Sequence, residues 1–158
     1  MSSAPSGLFR RTCGKFATGI TVITTLDENS HPHGMTVNSF ASVSLEPPLI
    51  VVSIDSRNAI LGHFTTNPFF AVNILSSRQK TLSERFSSAA EDRFRGVDWE
   101  PALSGVPLLA GAIGHLECAL TRTIELGDHW ALIGEVRSAR YSEGAPLLYF
   151  DSSYQQLL

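Results

Sequence analysis

Apolar residues recur along this chain with two different periods, and the change from one to the other outlines its elements. Leu8, Phe9, Cys13, Phe16 and Ala17 fall at helical spacing, with Arg10, Arg11 and Lys15 on the opposite side. That pattern predicts a short amphipathic helix resting on the body of the fold, stopped by Thr18-Gly19. Residues 20–25 are β-branched at every position, which suits a pleated, half-buried strand. Asp27-Glu28-Asn29-Ser30 carries turn chemistry, and residues 33–40 follow as a hairpin partner.

Pro47-Pro48 sets an extended approach to residues 49–54, an apolar run short enough to be a core strand. A short helix is expected over 58–64, a strand over 69–75 and a second helix around 82–86. Residues 91–107 mix charge, Gly and Pro around Trp99 and read as a long surface excursion. Beyond them Leu116, Cys118 and Leu120 alternate with Glu117, Ala119 and Thr121, and Leu132 and Val136 alternate with Ile133 and Glu135. Leu126-Gly127-Asp128-His129 is a hairpin-like corner between these two segments, and 147–150 form a last short strand. Six or seven strands with two or three short helices, and no regular strand–helix alternation, exclude a doubly wound parallel sheet. The expected fold is mainly β, an antiparallel, Greek-key-like barrel with a few short peripheral helices, because closing the sheet removes its edges.

Composition narrows the function. A chain of 158 residues fits one domain, 1–158, with no internal repeat or linker. Only 17% of residues are charged against 43% hydrophobic, so the chain is neither disordered nor a solvated acidic segment. A net charge of −3 speaks against nucleic-acid binding and against a polybasic membrane surface. No run approaches the ~20 apolar residues of a membrane span. Cys13 and Cys118 stand apart and in no CxxC pair, which reads as two reduced, mostly buried thiols in a cytoplasmic protein.

The familiar phosphate motifs are absent: there is no GxGxxG after a strand and no GxxxxGK[ST]. His31-Pro32-His33 lacks further ligands at metal spacing and reads as a polar turn, so no metal is assigned. A serine triad using Asp128 and His129 fits poorly, because adjacent side chains on a strand point to opposite faces. Two polar strips hold more promise. Met35-Thr36-Val37-Asn38-Ser39-Phe40 places hydroxyl and amide groups beside exposed main-chain N–H, able to follow the edge of a planar heteroaromatic ring and reach a ribityl chain. Ser53-Ile54-Asp55-Ser56-Arg57-Asn58 brings hydroxyls, a guanidinium and a helix N-terminus together, a cradle for phosphate.

At this point the residues carry a resemblance. Phe16-Ala17-Thr18-Gly19-Ile20-Thr21-Val22-Ile23-Thr24, Gly34-Met35-Thr36-Val37-Asn38-Ser39-Phe40, Phe70-Ala71-Val72-Asn73-Ile74-Leu75, Arg93-Phe94, Val97-Asp98-Trp99, Gly127-Asp128-His129 and Pro146-Leu147-Leu148-Tyr149 occur in order. The chain thereby resembles the short-chain flavin reductase family over nearly its whole length. The resemblance implies an FMN-binding split β-barrel, a homodimer, and reduction of FMN or FAD by NADH or NADPH for a separate flavin-dependent monooxygenase. It places Met35, Thr36, Val37, Asn38, Ser39 and Phe40 along the isoalloxazine and ribityl chain. It places Ser53, Ile54, Ser56, Arg57 and Asn58 at the phosphate, adds Phe94 to the flavin site, and sets His129 on the nicotinamide side as the catalytic histidine. One departure stands near the end, where Ser152-Ser153-Tyr154 replaces a common Gly-Arg-Tyr. A flavin-holding module without turnover, or a relative of the pyridoxamine-phosphate oxidases, are the rival readings.

Overall fold

The computed structural model describes residues 4–157. The elements run α1 (Ser6–Cys13), β1 (Thr18–Gly19), β2 (Thr21–Leu26), β3 (Pro32–Val37), β4 (Ala41–Leu45), β5 (Pro48–Asp55), α2 (Ile60–His63), β6 (Phe69–Ile74), a 3-10 turn (Ser77–Gln79), α3 (Lys80–Ser87), β7 (Trp99–Pro101), β8 (Pro107–Leu109), β9 (Gly114–Leu126), β10 (His129–Tyr141), β11 (Leu148–Phe150) and β12 (Ser153–Gln155).

Seven strands form one antiparallel sheet in the order β3-β2-β6-β9-β10-β5-β4. The sheet curls until β3 and β5, on opposite wings, come into contact. The interior is filled from almost every strand: Ile23, Val37, Ile50, Val52, Ile54, Phe70, Val72, Cys118 and Leu132 form one buried cluster. β5 shows why the pattern folds this way, with Ile50, Val52 and Ile54 pointing inward and their neighbours outward. β2 is buried along almost its whole length because both its faces are covered. Ile23 faces the barrel, while Val22 joins Ile20, Leu75, Phe86, Phe94, Leu109 and Leu147 in a second cluster outside it.

Close approach is required at Gly134, where a Cβ would stand 2.5 Å from Cζ of Phe70, and at Gly34, where one would stand 2.8 Å from the Phe86 ring. Gly134 also sits at a register shift between β9 and β10, the bulge letting the long hairpin bend around the core.

Several sequence expectations need correction. α1 is present but has no buried residue, and it ends at Cys13 rather than at Thr18. Leu8 and Phe9 face outward, so this helix does not rest on the body through its apolar side. Cys13 is exposed on it, whereas Cys118 is buried in the core as expected. Residues 91–107 run mostly over the surface, as expected, but not as a loose loop. Phe94 and Val106 are buried, and β7 and β8 pair as a hairpin. That hairpin is pinned to the sheet by polar groups the sequence did not single out. The Thr24 hydroxyl donates to the Pro107 carbonyl, the Leu109 amide donates to Asn73 Oδ1 at 2.8 Å, and the Ser104 amide donates to Glu117 Oε1 at 2.6 Å. β3 ends at Val37, earlier than Phe40, and the three-residue β12, which pairs with β11 and is anchored through Tyr154 to Ser83, carried no local pattern.

Candidate functional site

The two polar strips meet. Ser39 follows β3, Ser53 lies in β5, and the Ser39 hydroxyl donates to the Ser53 carbonyl while accepting from the Ser53 amide, both at 2.9 Å. The second strip in turn abuts the β9–β10 corner. His129 pairs with Asp55 across the ladder, and the Ser56 amide donates to the Asp128 carbonyl at 2.9 Å. Gly127 adopts φ +64°, a left-handed conformation that lets the strands reverse over two residues. Asp128 lies in that turn, not in a strand, so its Oδ1 reaches His129 Nδ1 at 2.7 Å. The expectation that these neighbours point apart is therefore wrong at this corner. The bond to His129 holds the Asp128 carboxyl below the usual carboxylate range.

β3 borders two clefts, with Gly34 lining one and Thr36 the other. The smaller, about 240 Å³, is bounded by Ile20, Thr36, Val37, Asn38, Tyr149 and Tyr154, with Ser87 at its edge. Tyr154 is anchored by a 2.9 Å hydrogen bond with Ser83 and an edge-on contact with Tyr149. The larger, about 390 Å³, brings together His33, Arg57, Asn58, His63, Arg93 and Phe94. Phe94 packs edge-on against Phe86 at 5.0 Å, giving this cleft an aromatic floor.

The remaining strip residues divide by side-chain direction. Asn38 is exposed and its amide makes no hydrogen bond among the described residues. Met35 and Phe40 pack half-buried against the barrel core, while Ile54 is fully buried in it, so only its main chain can border the outside. The helix after Arg57 is one turn long, Ile60–His63, and Ser56 does not cap it. It starts three residues beyond Arg57, where Asn58 Oδ1 accepts from the Ile60 amide at 3.1 Å, later than the expected start at Asn58.

With that geometry in place, the chain can be set beside known proteins. Residues 13–158 match the family described as flavin reductase like domain. This chain belongs to that family. It is 40% identical over 153 residues to an NADH-dependent flavin reductase of a Rhodococcus species, covering 94% of this chain and 84% of that protein. It is 37% identical over 147 residues to the HsaB reductase subunit of a flavin-dependent monooxygenase of Rhodococcus jostii, covering 92% and 75%. Among solved structures, the NADH:FAD oxidoreductase SgcE6 of Streptomyces globisporus, in complex with NAD and FAD fragments, superposes with a TM-score of 0.92 at 36% identity, covering 100% and 96%. The mainly β, antiparallel fold read from the sequence is the fold of this family.

Within a flavin reductase-like frame, the two arginines of the larger cleft differ. Arg57 has its fork occupied: Nε and Nη2 donate to the two Asp55 oxygens at 3.0 and 2.7 Å. That pairing holds Asp55 well below the carboxylate range. Arg93 makes no ion pair among the described residues. Its Nη1 donates to the Gly34 carbonyl at 2.9 Å, and its Nε is buried without a partner. Arg93 and His63 were not placed at the site by the sequence reading. Arg93 stood beside Phe94 in the motif, the one signal that could have found it; His63 had none.

Proposed function

We propose that this chain is an NAD(P)H-dependent flavin reductase, transferring a hydride from a nicotinamide to FMN or FAD and passing reduced flavin to a separate monooxygenase. The observation that supports it is the Ser39–Ser53 link, which gathers both polar strips and the Gly127-Asp128-His129 corner onto one side of the barrel.

The residues present fit a flavin. Asn38 offers an uncommitted amide beside two aromatic rings, and Arg93 carries an orphaned guanidinium N–H in the larger cleft. Thr36, Val37, Asn38 and Ser39 would border the ring system, Tyr154 would face it, and Phe94 and Arg93 would meet the phosphate-bearing end. When bound, the flavin supplies the hydride-accepting ring. The chain's own work includes positioning: it would hold two planar rings in contact, which lowers the entropic part of the barrier. Main-chain N–H groups beside Asn38 and Ser39 offer fixed dipoles for charge developing at a ring edge. His129, oriented through Nδ1 by Asp128, keeps Nε2 available to orient the nicotinamide amide.

The homodimer belongs to the same proposal. Val43 and Leu45 expose apolar side chains on β4, an edge strand of the sheet, with Leu45 89% exposed. A second copy covering that edge would remove them from water. One domain over 1–158 is proposed to carry the whole activity in the cytoplasm. No helix among the described residues is long and apolar enough to cross a membrane.

Mixing the purified protein with NADH or NADPH and FMN or FAD, and following the nicotinamide absorbance, tests the activity. Flavin-dependent loss of reduced nicotinamide is expected. A protein that purifies yellow but consumes neither nucleotide would establish the non-catalytic flavin-binding module instead.

A further inference from the structure

His33 and His63 are stacked, ring centroids 4.0 Å apart with planes inclined by 28°. They come from distant elements, β3 and α2, and both line the larger cleft with Arg57 and Arg93. His33 Nε2 lies 3.2 Å from Asp27 Oδ2, an oxygen that also stands 3.3 Å from His31 Nδ1. The His63 ring makes no hydrogen bond among the described residues.

Two imidazolium rings at this separation repel strongly, so the pair on its own holds at most one proton comfortably. Burial first, and His33 second, pull the His63 pKa down from its ordinary value, while Asp27 opposes them. The charged groups facing the pair come from three sides. Asp27 and His31 lie on the β2–β3 turn, Arg57 with its partner Asp55 lies at the end of β5, and Glu91, Asp92 and Arg93 lie on the loop after α3. Asp27 is already shared between two imidazoles, Asp55 is spent on Arg57, and Glu91 and Asp92 are exposed on the rim, where solvent screens them. An anion in the cleft would supply the counter-charge that the second proton lacks.

We infer that the stacked His33–His63 pair is a proton-linked recognition element for a phosphate or diphosphate group, working with Arg93. The anion would bind with uptake of a proton by the pair, so its affinity rises as pH falls. This inference rests on the flavin reductase reading, since the ligands that reaction uses carry such groups on both the flavin and the nicotinamide side.

The test is a set of binding titrations at pH 6.5–8.5, by flavin fluorescence or calorimetry, with riboflavin, FMN, FAD and ADP-ribose. Riboflavin lacks phosphate and serves as the baseline, and the FAD diphosphate keeps a fixed charge where the FMN phosphate, with a second pKa of about 6, begins to protonate. Binding coupled to one proton tightens by up to about tenfold per pH unit. The expected result is that FAD and FMN affinity climbs toward low pH while riboflavin affinity stays flat. His63→Ala and His33→Asn should each flatten the FAD profile, and their unchanged riboflavin affinity would report an intact site. Proton linkage and His dependence seen with FAD assign the anion to the flavin; seen only with ADP-ribose, they assign it to the nicotinamide nucleotide. FAD and ADP-ribose profiles parallel to riboflavin, or unaltered in both variants, would overturn the inference. Absence of riboflavin binding together with no NADH oxidation would instead overturn the underlying flavin reductase reading.

Discussion

Ser39 grips Ser53 from both sides: one hydroxyl donates to its carbonyl and accepts from its amide, each at 2.9 Å, and so fastens the segment after β3 to β5. The two strands lie on opposite wings of the sheet, and this clasp holds both polar strips in one place. Ser39→Ala removes both bonds and leaves two main-chain groups without partners. At ~1 kcal/mol for a net hydrogen bond and ~1–3 for an unsatisfied group, a loss of about 2 kcal/mol of stability is expected. Flavin affinity should fall with it. A denaturant midpoint unchanged in Ser39→Ala would show that the clasp carries nothing.

The two cleft arginines are separable. Asp55 already holds the fork of Arg57, whereas Arg93 donates to one carbonyl and has a spare N–H. A charge-assisted bond to phosphate contributes ~1.5–3 kcal/mol, so Arg93→Ala should weaken FMN binding about tenfold to a hundredfold. Arg57→Ala should cost less than that. Equilibrium titration of both variants decides the order, and the reverse order would move the phosphate to Arg57.

His129 and Asp128 predict a kinetic split. His129→Ala should raise the apparent KM for the nicotinamide more than it changes flavin affinity. Asp128→Asn, which keeps the turn but replaces the carboxylate beside Nδ1, should shift the same parameter by a smaller factor. Steady-state kinetics at saturating flavin reads this directly. A selective rise in the flavin constant would place His129 on the other ring.

How much of this was legible beforehand depended on range. Residues 49–54 announced their strand by a short apolar run, and Leu116, Cys118 and Leu120 announced another by alternating with Glu117, Ala119 and Thr121, both local signals; that Glu117 is itself buried was not among them. Gly127-Asp128-His129 announced a turn by composition, yet its key contact was misjudged, since the rule for strand neighbours does not apply inside the turn. The β7–β8 hairpin was hidden because its partners are distant polar groups, Thr24, Asn73 and Glu117, whose burial no local pattern reveals. His63 was invisible for the same reason. Its meeting with His33 exists only after the barrel closes.

Acid should destabilise the fold in two windows. Burial first, against a hydrogen bond to the Leu109 carbonyl, lowers the His115 pKa in the folded chain. The unfolded histidine, near 6.5, therefore binds protons that the folded one refuses. That stability is present above about pH 6.5 and is lost as pH falls through the lower folded value. His63 acts in the same sense. Asp27 and Asp55, held low by hydrogen bonds, retain their contribution until below about pH 4. Melting temperature should drop between pH 7 and 5, and His115→Gln should shallow that slope.

Gly134→Ala should cost ~1–3 kcal/mol, the usual toll of overpacking, because its methyl group would collide with Phe70 inside a filled barrel. A lowered denaturant midpoint with an unchanged slope is the expected signature.

The two-residue turn at Gly127 has a consequence for how this chain can change. His129 is the first residue of a thirteen-residue strand whose partners on both sides are fixed pair by pair. Its place is therefore counted rather than steered. A residue added to the turn would be looped out while the ladder keeps the histidine on its face, so Asp128, which lies in the turn, is the partner such a change would displace. Length variation at this corner therefore acts on what Nδ1 meets and leaves the histidine where the strands set it.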